Sequence, residues 1–172
     1  MTWTSPWPAA LTDGPITGDD RLILEGMLAW QRATLLTICA GLTADQMATR
    51  PIPSSNLSLL GLVRHLAKVE RVWFRKRFAA EDIEHLYDFD QRLDTDFDDI
   101  DPADAERAVT QLVDEVAAAV RAVANLTFDT VVDVNGDEMS LRMVYVHMIG
   151  EYARHNGHAD LLREAIDGTT GR

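Results

Sequence analysis

The sequence predicts an all-α protein that folds as a four-helix bundle in one domain, residues 1–172. Four long stretches carry apolar residues at helical spacing. Strands do not alternate with these stretches, and no segment repeats, so the patterns of α/β folds and solenoids are missing. With 172 residues, 47% of them hydrophobic, the chain is long enough to bury one core. Bundles of this kind place metal sites between facing helices.

The first two helices are bounded by recognisable terminal residues. Asp19 and Asp20 place acidic groups at the start of the first helix, and Gly41 is its predicted stop. Thr43 caps a short turn, and Ser58 opens the second helix, which is predicted to run to residue 80. The predicted core faces are Leu24, Met27, Leu28, Leu35 and Ile38 in the first helix and Leu59, Leu62, Val63, Leu66, Val69, Trp73 and Phe74 in the second.

The third and fourth helices have equally clear starts. Asp101-Pro102 is an N-cap followed by proline at the first helical position, and Ser140 caps a last helix that ends at Asp167 before Gly168. The third helix shows no polar group on its predicted stripe, Val109, Leu112, Val113, Val116, Val120 and Val123. The stripe of the last helix is Leu141, Val144, Met148, Leu161, Leu162 and Ile166.

Three segments break the helical pattern. Residues 1–18 form an extended N-terminal arm whose Trp3 and Trp7 are expected to pack on the same domain or on a second subunit. Residues 81–101 form an acidic connection, interpreted as solvated. Residues 126–139 are a short irregular excursion before the last helix, where Asn135-Gly136 predicts a hairpin turn.

Composition excludes several classes of function. The formal net charge of −12 opposes binding to nucleic acids and to anionic membranes. The sequence contains no run of eighteen apolar residues, which predicts no membrane span, and its N-terminus lacks the features of a secretory signal. The single cysteine, Cys39, excludes an intrachain disulfide, is interpreted as a small core residue and agrees with a cytoplasmic location.

Polar residues interrupt the stripe of the last helix. Relative to Glu151, and at about 100° per residue, His147 lies at about −40°, His158 at about −20° and His155 at about +40°. All four are therefore predicted to project from one side, in line with the packing face. A glutamate on a core face is costly unless it is paired or bound to a metal. Together with three histidines it favours a metal or catalytic site over a structural polar layer.

The spacing of two of these residues suits a metal ion. Glu151 and His155 lie one turn apart and can reach the same ion, and His65 on the second helix is the candidate third ligand. Three nitrogen and oxygen ligands leave positions open for water or substrate, which is typical of catalytic rather than structural sites. His147 and His158 are then candidates for partners of the ligands, alternative ligands or general bases.

Two stretches resemble the DinB-like superfamily of four-helix metal-binding proteins, and within it the mini-circle protein branch and the mycothiol-dependent maleylpyruvate isomerases and thiol S-transferases. They are LSLLGLVRHLAKVERVWF at residues 57–74 and HMIGEYARHNGHADLLRE at residues 147–164. The first carries the single ligand histidine of the family at His65, and the second carries the paired ligands. Glu151 stands where many members have histidine, and His158 stands where glutamine is common.

The resemblance implies a divalent metal held by His65, Glu151 and His155. Zinc is the expected ion, with nickel and iron as alternatives. It further implies that the metal binds the thiol of mycothiol or of another low-molecular-weight thiol, and that the thiolate attacks an electrophilic small molecule. His158 and His147 are the expected catalytic residues beside the ligands. A homodimer is also expected from the resemblance, and the tryptophan-bearing arm could pack across its twofold interface.

Two other classes of function share the same residues. In a metal-dependent hydrolase, the ion would activate water, with His158 or His147 as the base. In a non-enzymatic protein, the ion would only tighten the bundle, and a fourth protein ligand would complete its coordination. The ligands alone do not separate these functions from a thiol S-transferase or isomerase.

Overall fold

The computed structural model describes residues 2–9, 14–87 and 94–170, so parts of the N-terminal arm and of the acidic connection lie outside it. Its described residues are mainly helical, with one two-stranded sheet, which confirms the all-α prediction. The α-helices are α1 Asp20–Cys39, α2 Ala44–Ala48, α3 Leu59–Glu70, α4 Thr95–Asp98, α5 Ala105–Val123 and α6 Leu141–Asp167, and the strands are β1 Val131–Val134 and β2 Asp137–Ser140. α3 continues directly into a π-helix, Arg71–Phe78, and a 3₁₀ turn, Pro102–Asp104, leads into α5.

The predicted caps form at the ends of the long helices. The side chain of Asp19 accepts from the backbone N–H groups of the first turn of α1, and the side chain of Ser58 accepts from Gly61 in α3. Ser140 caps α6, which ends at Gly168 in the left-handed conformation, with φ of 77°. These caps satisfy backbone groups that have no partner inside the helix, so each helix begins close to where the sequence predicts.

The hairpin before α6 forms at the predicted turn. β1 and β2 pair antiparallel, and Val134 opposes Asp137 across Asn135 and Gly136. Both turn residues have positive φ, 59° and 96°, which is the conformation that a type I′ turn requires and that Asn-Gly adopts readily.

α1 and α6 run in the same direction. Near their starts, Arg142 pairs with Asp20 at 2.8 Å, and near their ends Arg163 donates to the carbonyl of Ile38 at 2.6 Å. α3 runs antiparallel to α6. Phe74, in the π-helix that continues α3, contacts Tyr145 near the start of α6. The bundle therefore pairs α1 with α6 side by side and sets α3 against α6 in the opposite direction.

The acidic connection runs back along α3. Arg71 donates to the carbonyl of Glu84 at 3.0 Å, whereas Arg64, two turns earlier in α3, donates to the carbonyl of Thr95 at 3.0 Å. The chain thus returns to the start of α3 before α5 begins, so α3 and α5, which pack together, lie parallel. This return places α4 beside the first half of α3.

The buried face of α5 differs from the predicted stripe. Val113 and Val120 are about half exposed, whereas Glu115 is buried. Glu115 accepts from Arg71 and, at 2.9 Å, from Arg75, both in the π-helix. The prediction of a wholly apolar face was therefore wrong, because two arginines from another helix make a buried carboxylate possible. The buried positions of α5 are Ala105, Ala108, Val109, Leu112, Glu115, Ala119 and Val123.

The N-terminal arm is fastened to its own domain. Ser5 donates from its backbone to Leu42 at 2.8 Å and accepts from Gly41 at 2.8 Å, just after α1 ends. Trp3 packs against the core, whereas Trp7 is 72% exposed. Trp3 therefore packs on its own domain, which was one of the two expectations. A role for Trp7 in a dimer stays a prediction.

By length and composition α1 could cross a membrane, with 20 residues and a mean hydropathy of 1.2 in its most apolar window. A core helix passes the same test, and α1 places Leu28, Arg32 and Leu35 in the interior of the bundle. The feature is weak evidence for a membrane span, and the absence of such a span stays a prediction.

Candidate metal centre

The three predicted ligands converge between α3 and α6. One potential ligand atom from each of His65, Glu151 and His155 lies within 4.8 Å of the other two. The carboxylate Oε2 of Glu151 is 3.4 Å from Nε2 of His155 and 3.9 Å from Nε2 of His65. The one-turn spacing on α6 and the antiparallel packing of α3 bring these atoms together, as the sequence predicts.

His65 is oriented by a residue that the sequence analysis did not single out. Asp96 in α4 is fully buried, and its Oδ2 lies 2.8 Å from Nδ1 of His65. Because an ionised carboxylate only accepts hydrogen bonds, Nδ1 carries the proton and Nε2 carries the lone pair that faces the cluster. A carboxylate behind a ligand histidine is a recurrent arrangement in metal sites, where it fixes the tautomer and the ring orientation.

Asp96 also binds a second positive group. Lys68 lies one turn after His65 and approaches Oδ2 of Asp96 to 2.6 Å. Burial alone would raise the pKa of Asp96, but the hydrogen bonds from His65 and Lys68 outweigh it and hold that pKa below its ordinary value. Asp96 is therefore a carboxylate at neutral pH, as its role beside His65 requires.

The interpretation of the acidic connection as solvated was wrong at this point. Thr95 and Asp96 are buried, and Phe97 stacks on the ring of His65 with centroids 5.0 Å apart. The sequence did contain one signal, because Phe97 and Ile100 are apolar residues among acids. Residues 88–93 of the connection lie outside the described part of the chain.

His155 is neutral at physiological pH. Burial and the neighbouring His65 lower its pKa to about 4, although Glu151 acts in the opposite direction. Its Nδ1 is buried without a hydrogen-bond partner among the described residues, while Nε2 faces Glu151. A neutral imidazole is the form that binds a metal, so no proton has to leave His155 before an ion enters near pH 7.

The cluster lies at the edge of the core, not on its central stripe. The side chains of His65, His155 and Glu151 are 19%, 12% and 26% exposed. The buried face of α6 is rotated away from them and comprises Leu141, Val144, Tyr145, Met148, Tyr152, Asn156, Ala159 and Leu162. The prediction that the polar residues sit on the central packing face was therefore wrong, and the edge position gives small molecules access to the site.

The two predicted catalytic histidines flank the cluster on α6. The ring of His158 meets the ring of His155 edge-on, with centroids 5.4 Å apart, and its Nδ1 is buried without a partner among the described residues. His147 packs against Trp73 of the π-helix, with centroids 4.8 Å apart. Neither histidine belongs to the three-residue cluster. Their roles as bases, alternative ligands or partners of the ligands stay predictions.

A buried polar network beneath the site fixes α6 against α1 and α3. Arg32 forms a two-point ion pair with Glu70, with both distances 2.7 Å, and Tyr152 donates to the same carboxylate at 2.9 Å. Tyr152 follows Glu151 directly, so the network sets the rotation of α6 at the point where two ligands leave it. These residues are fully or almost fully buried, and local sequence patterns did not reveal them.

Comparison with known proteins agrees with this geometry. The family model described as Mycothiol-S-transferase matches residues 23–168, which include most of α1, all of α3, α5 and α6, and all three ligand candidates. No match was found among curated proteins or among solved structures. The family match confirms the DinB-like resemblance, and it covers most of the 172 residues. The chain therefore belongs to the mycothiol S-transferase family.

Proposed function

We propose that this protein is a metal-dependent thiol S-transferase, which joins the sulfur of mycothiol to an electrophilic small molecule. The observation that carries the proposal is the convergence of His65, Glu151 and His155 in a chain of the mycothiol S-transferase family. The family points to the thiol and to the transfer, and the cluster points to how the thiol is activated.

The residues of the cluster fit a divalent cation, and zinc is the ion we propose. Two neutral imidazoles and one carboxylate are ligands that zinc accepts, and three protein ligands leave a position for an external group. Asp96 holds His65 in the required tautomer, and His155 has a pKa of about 4. A bound zinc ion would lower the pKa of a thiol from about 8.5 and so supply a thiolate at neutral pH.

The protein itself then orients the ligands, leaves space for the thiol and provides a base for the thiol proton. His65 and His155 keep Nε2 directed at the cluster, and the exposed side of Glu151 leaves room for the thiol. When the thiol sulfur forms its bond to the electrophilic carbon, the bond between that carbon and its leaving group breaks, and the leaving group takes the electron pair. The thiol proton must pass to a base, and we propose His158 or His147 for this role.

No side chain has to act as a nucleophile in this reaction. The only cysteine, Cys39, is fully buried in α1, and burial raises its pKa to about 12. A thiol in that state forms almost no thiolate at neutral pH. The sulfur nucleophile is therefore expected to come from the small-molecule thiol.

The test begins with metal content. Protein purified without a histidine tag is analysed for bound metal beside His65→Ala and, as a matched control outside the cluster, His85→Ala. We expect about one equivalent in the wild type and in His85→Ala, and little in His65→Ala. Absence of metal in the wild type, even after reconstitution with zinc, would overturn the proposal.

The second step separates transfer from hydrolysis. The zinc-loaded protein is incubated with 1-chloro-2,4-dinitrobenzene, with and without mycothiol, and chloride release and the thiol conjugate are measured. Conjugate formation that requires both zinc and thiol supports the S-transferase. Turnover of an ester or amide without thiol would support a hydrolase instead, and zinc bound firmly without any turnover would support a non-enzymatic protein.

A further inference from the structure

A pocket next to the metal cluster follows α3 and its π-helical continuation. Its volume is about 290 Å³, and it shares His65 with the cluster. At roughly 1.5 Å per helical residue, Trp73 lies about 12 Å along the helix from His65. The lining residues are His65, Lys68, Val69, Val72, Trp73 and Arg77.

Arg77, at the far end of this pocket, has neither an ion pair nor a side-chain hydrogen bond among the described residues, unlike the other cations of α3 and its π-helical continuation. Its guanidinium lies over the ring of Trp73, 4.6 Å from the ring centroid, and it forms no ion pair with any described carboxylate. In contrast, Lys68 pairs with Asp96, and Arg75 pairs with Glu81 and Glu115. Arg71 also pairs with Glu115, and Lys76 donates to the carbonyl of Ile83.

This lack of a carboxylate is unexpected in such an acidic chain. The protein has 28 acidic and 16 basic residues, yet among the described residues the only side-chain partner of the half-buried Arg77 is the aromatic ring of Trp73. A positive charge near a helix C-terminus is favourable in itself, but that effect requires only a charge, not a planar group stacked in a pocket. A guanidinium that is held over an aromatic ring keeps its N–H groups free to bind a carboxylate through two parallel hydrogen bonds.

The local backbone supports a binding role. Trp73 and Arg77 both lie in the π-helix Arg71–Phe78, where Ala79 donates to Phe74, five residues earlier, at 3.0 Å. π-helical turns are rare and occur frequently at functional sites. His147, from α6, also contacts the ring of Trp73, with centroids 4.8 Å apart. Two helices thus present donor groups around one aromatic ring beside the metal cluster.

We propose that this pocket binds the electrophilic substrate and that the substrate is a small organic acid, whose carboxylate pairs with Arg77. The apolar part of the substrate lies along Val69, Val72 and Trp73, so that its reactive carbon reaches the cluster at His65. The inference rests on the proposed S-transferase function, to which it adds a substrate class and a residue that recognises it.

Direct binding tests the anion site without any turnover. The full-length protein is titrated calorimetrically with 4-nitrobenzoate and with the uncharged 4-nitrobenzyl alcohol. The variant is Arg77→Gln, and the matched control is Arg121→Gln, which removes the same charge from an exposed position on α5. We expect 4-nitrobenzoate to bind Arg77→Gln about tenfold more weakly than the wild type or the control, with no change for the alcohol. Arg77→Lys should recover part of the affinity, because it restores the charge.

Equal binding of 4-nitrobenzoate to the wild type and Arg77→Gln would overturn the inference, as would an equal loss for both compounds or no binding of the acid at all. Turnover measurements distinguish a wrong carboxylate site at Arg77 from a wrong S-transferase function. With 4-chloro-3,5-dinitrobenzoate, Arg77→Gln should raise KM about tenfold, while KM for 1-chloro-2,4-dinitrobenzene stays the same. Thiol transfer with an unchanged ratio of the two KM values refutes only the anion site. Selective acid binding without any thiol transfer refutes only the proposed function.

Discussion

Replacing Asp96 with asparagine tests whether the return of the chain along α3 builds the metal centre. Asp96 is fully buried and accepts from His65 at 2.8 Å and from Lys68 at 2.6 Å. Asparagine has nearly the same shape, but it lacks the charge, and its NH₂ group replaces one accepting oxygen. The variant therefore removes the electrostatic support of His65 and leaves the packing around it intact.

Two effects are expected from this substitution. Zinc affinity should fall 10- to 100-fold, the range typical for loss of a carboxylate behind a ligand histidine. The metal-free protein should lose about 2 kcal/mol of stability, since a buried charge-assisted hydrogen bond is weakened. Because the pKa of Asp96 is lowered in the folded state, its stabilisation exists above the ordinary carboxyl pKa of 3.8 and is lost as the pH falls through the folded-state value. The stability difference between the two proteins should therefore be largest near neutral pH and disappear in strong acid.

The assay combines a chelator competition for zinc with urea denaturation of the metal-free protein at several pH values. Asp94→Asn is the matched control, because Asp94 is exposed in the same segment and its side chain does not cap α4. Zinc affinity of Asp96→Asn equal to that of Asp94→Asn would refute the role of Asp96 in orienting His65. A loss of stability that is the same at pH 7 and pH 2 would refute the electrostatic explanation.

Three further predictions concern α6. Burial and His65 lower the pKa of His155 from 6.5 to about 4, so the unfolded chain takes up a proton at a higher pH than the folded one. Lowering the pH from 6.5 to 4 should thus destabilise the metal-free protein in urea denaturation by less than the roughly 3 kcal/mol of the full shift, because solvent screens this partly exposed group, and His155→Gln should remove that part of the pH dependence. Tyr152→Phe should cost about 1 kcal/mol in the same measurement, since Glu70 loses one of its hydrogen bonds; no change would exclude a stabilising role for that bond. Glu151→His should lower the pKa of a metal-bound thiol in a spectroscopic titration, because the site becomes more positive; a thiol pKa already as low or lower in the wild type would count against this reasoning.

The sequence was informative wherever the decisive interaction is local. Capping by Ser140, the turn at Asn135-Gly136 and the pairing of Glu151 with His155 all depend on residues within four positions of each other. Spacing in the chain then corresponds directly to spacing in space. His65 is the exception, since it lies far from its partners in the chain. It could be predicted because it stands between Leu62 and Leu66 on the apolar face of the second helix, which a bundle can set against the last helix.

The sequence was least informative about buried charges. Glu70 and Glu115 look like exposed residues in a helical pattern, yet both are buried, because Arg32, Arg71 and Arg75 approach them from other helices. Their partners lie about forty residues away, so periodicity within one helix cannot identify them. For the same reason the buried face of α5 turned out to be rotated relative to the predicted valine stripe.

The direction of α5 explains why the acidic connection contributes to the site. Since α3 and α5 are parallel, the chain must travel back along α3 before α5 can begin, and that path passes His65. A solvated connection would only need polar residues, but one that passes a ligand histidine can supply a carboxylate to it, and Asp96 does so from the buried side of α4. The topology thus brings together two features that are separate in the sequence, the histidine on α3 and the acidic connection that follows the second predicted helix. An exchange of Asp96 alone should therefore affect the metal centre more than exchanges of the exposed acids that surround it.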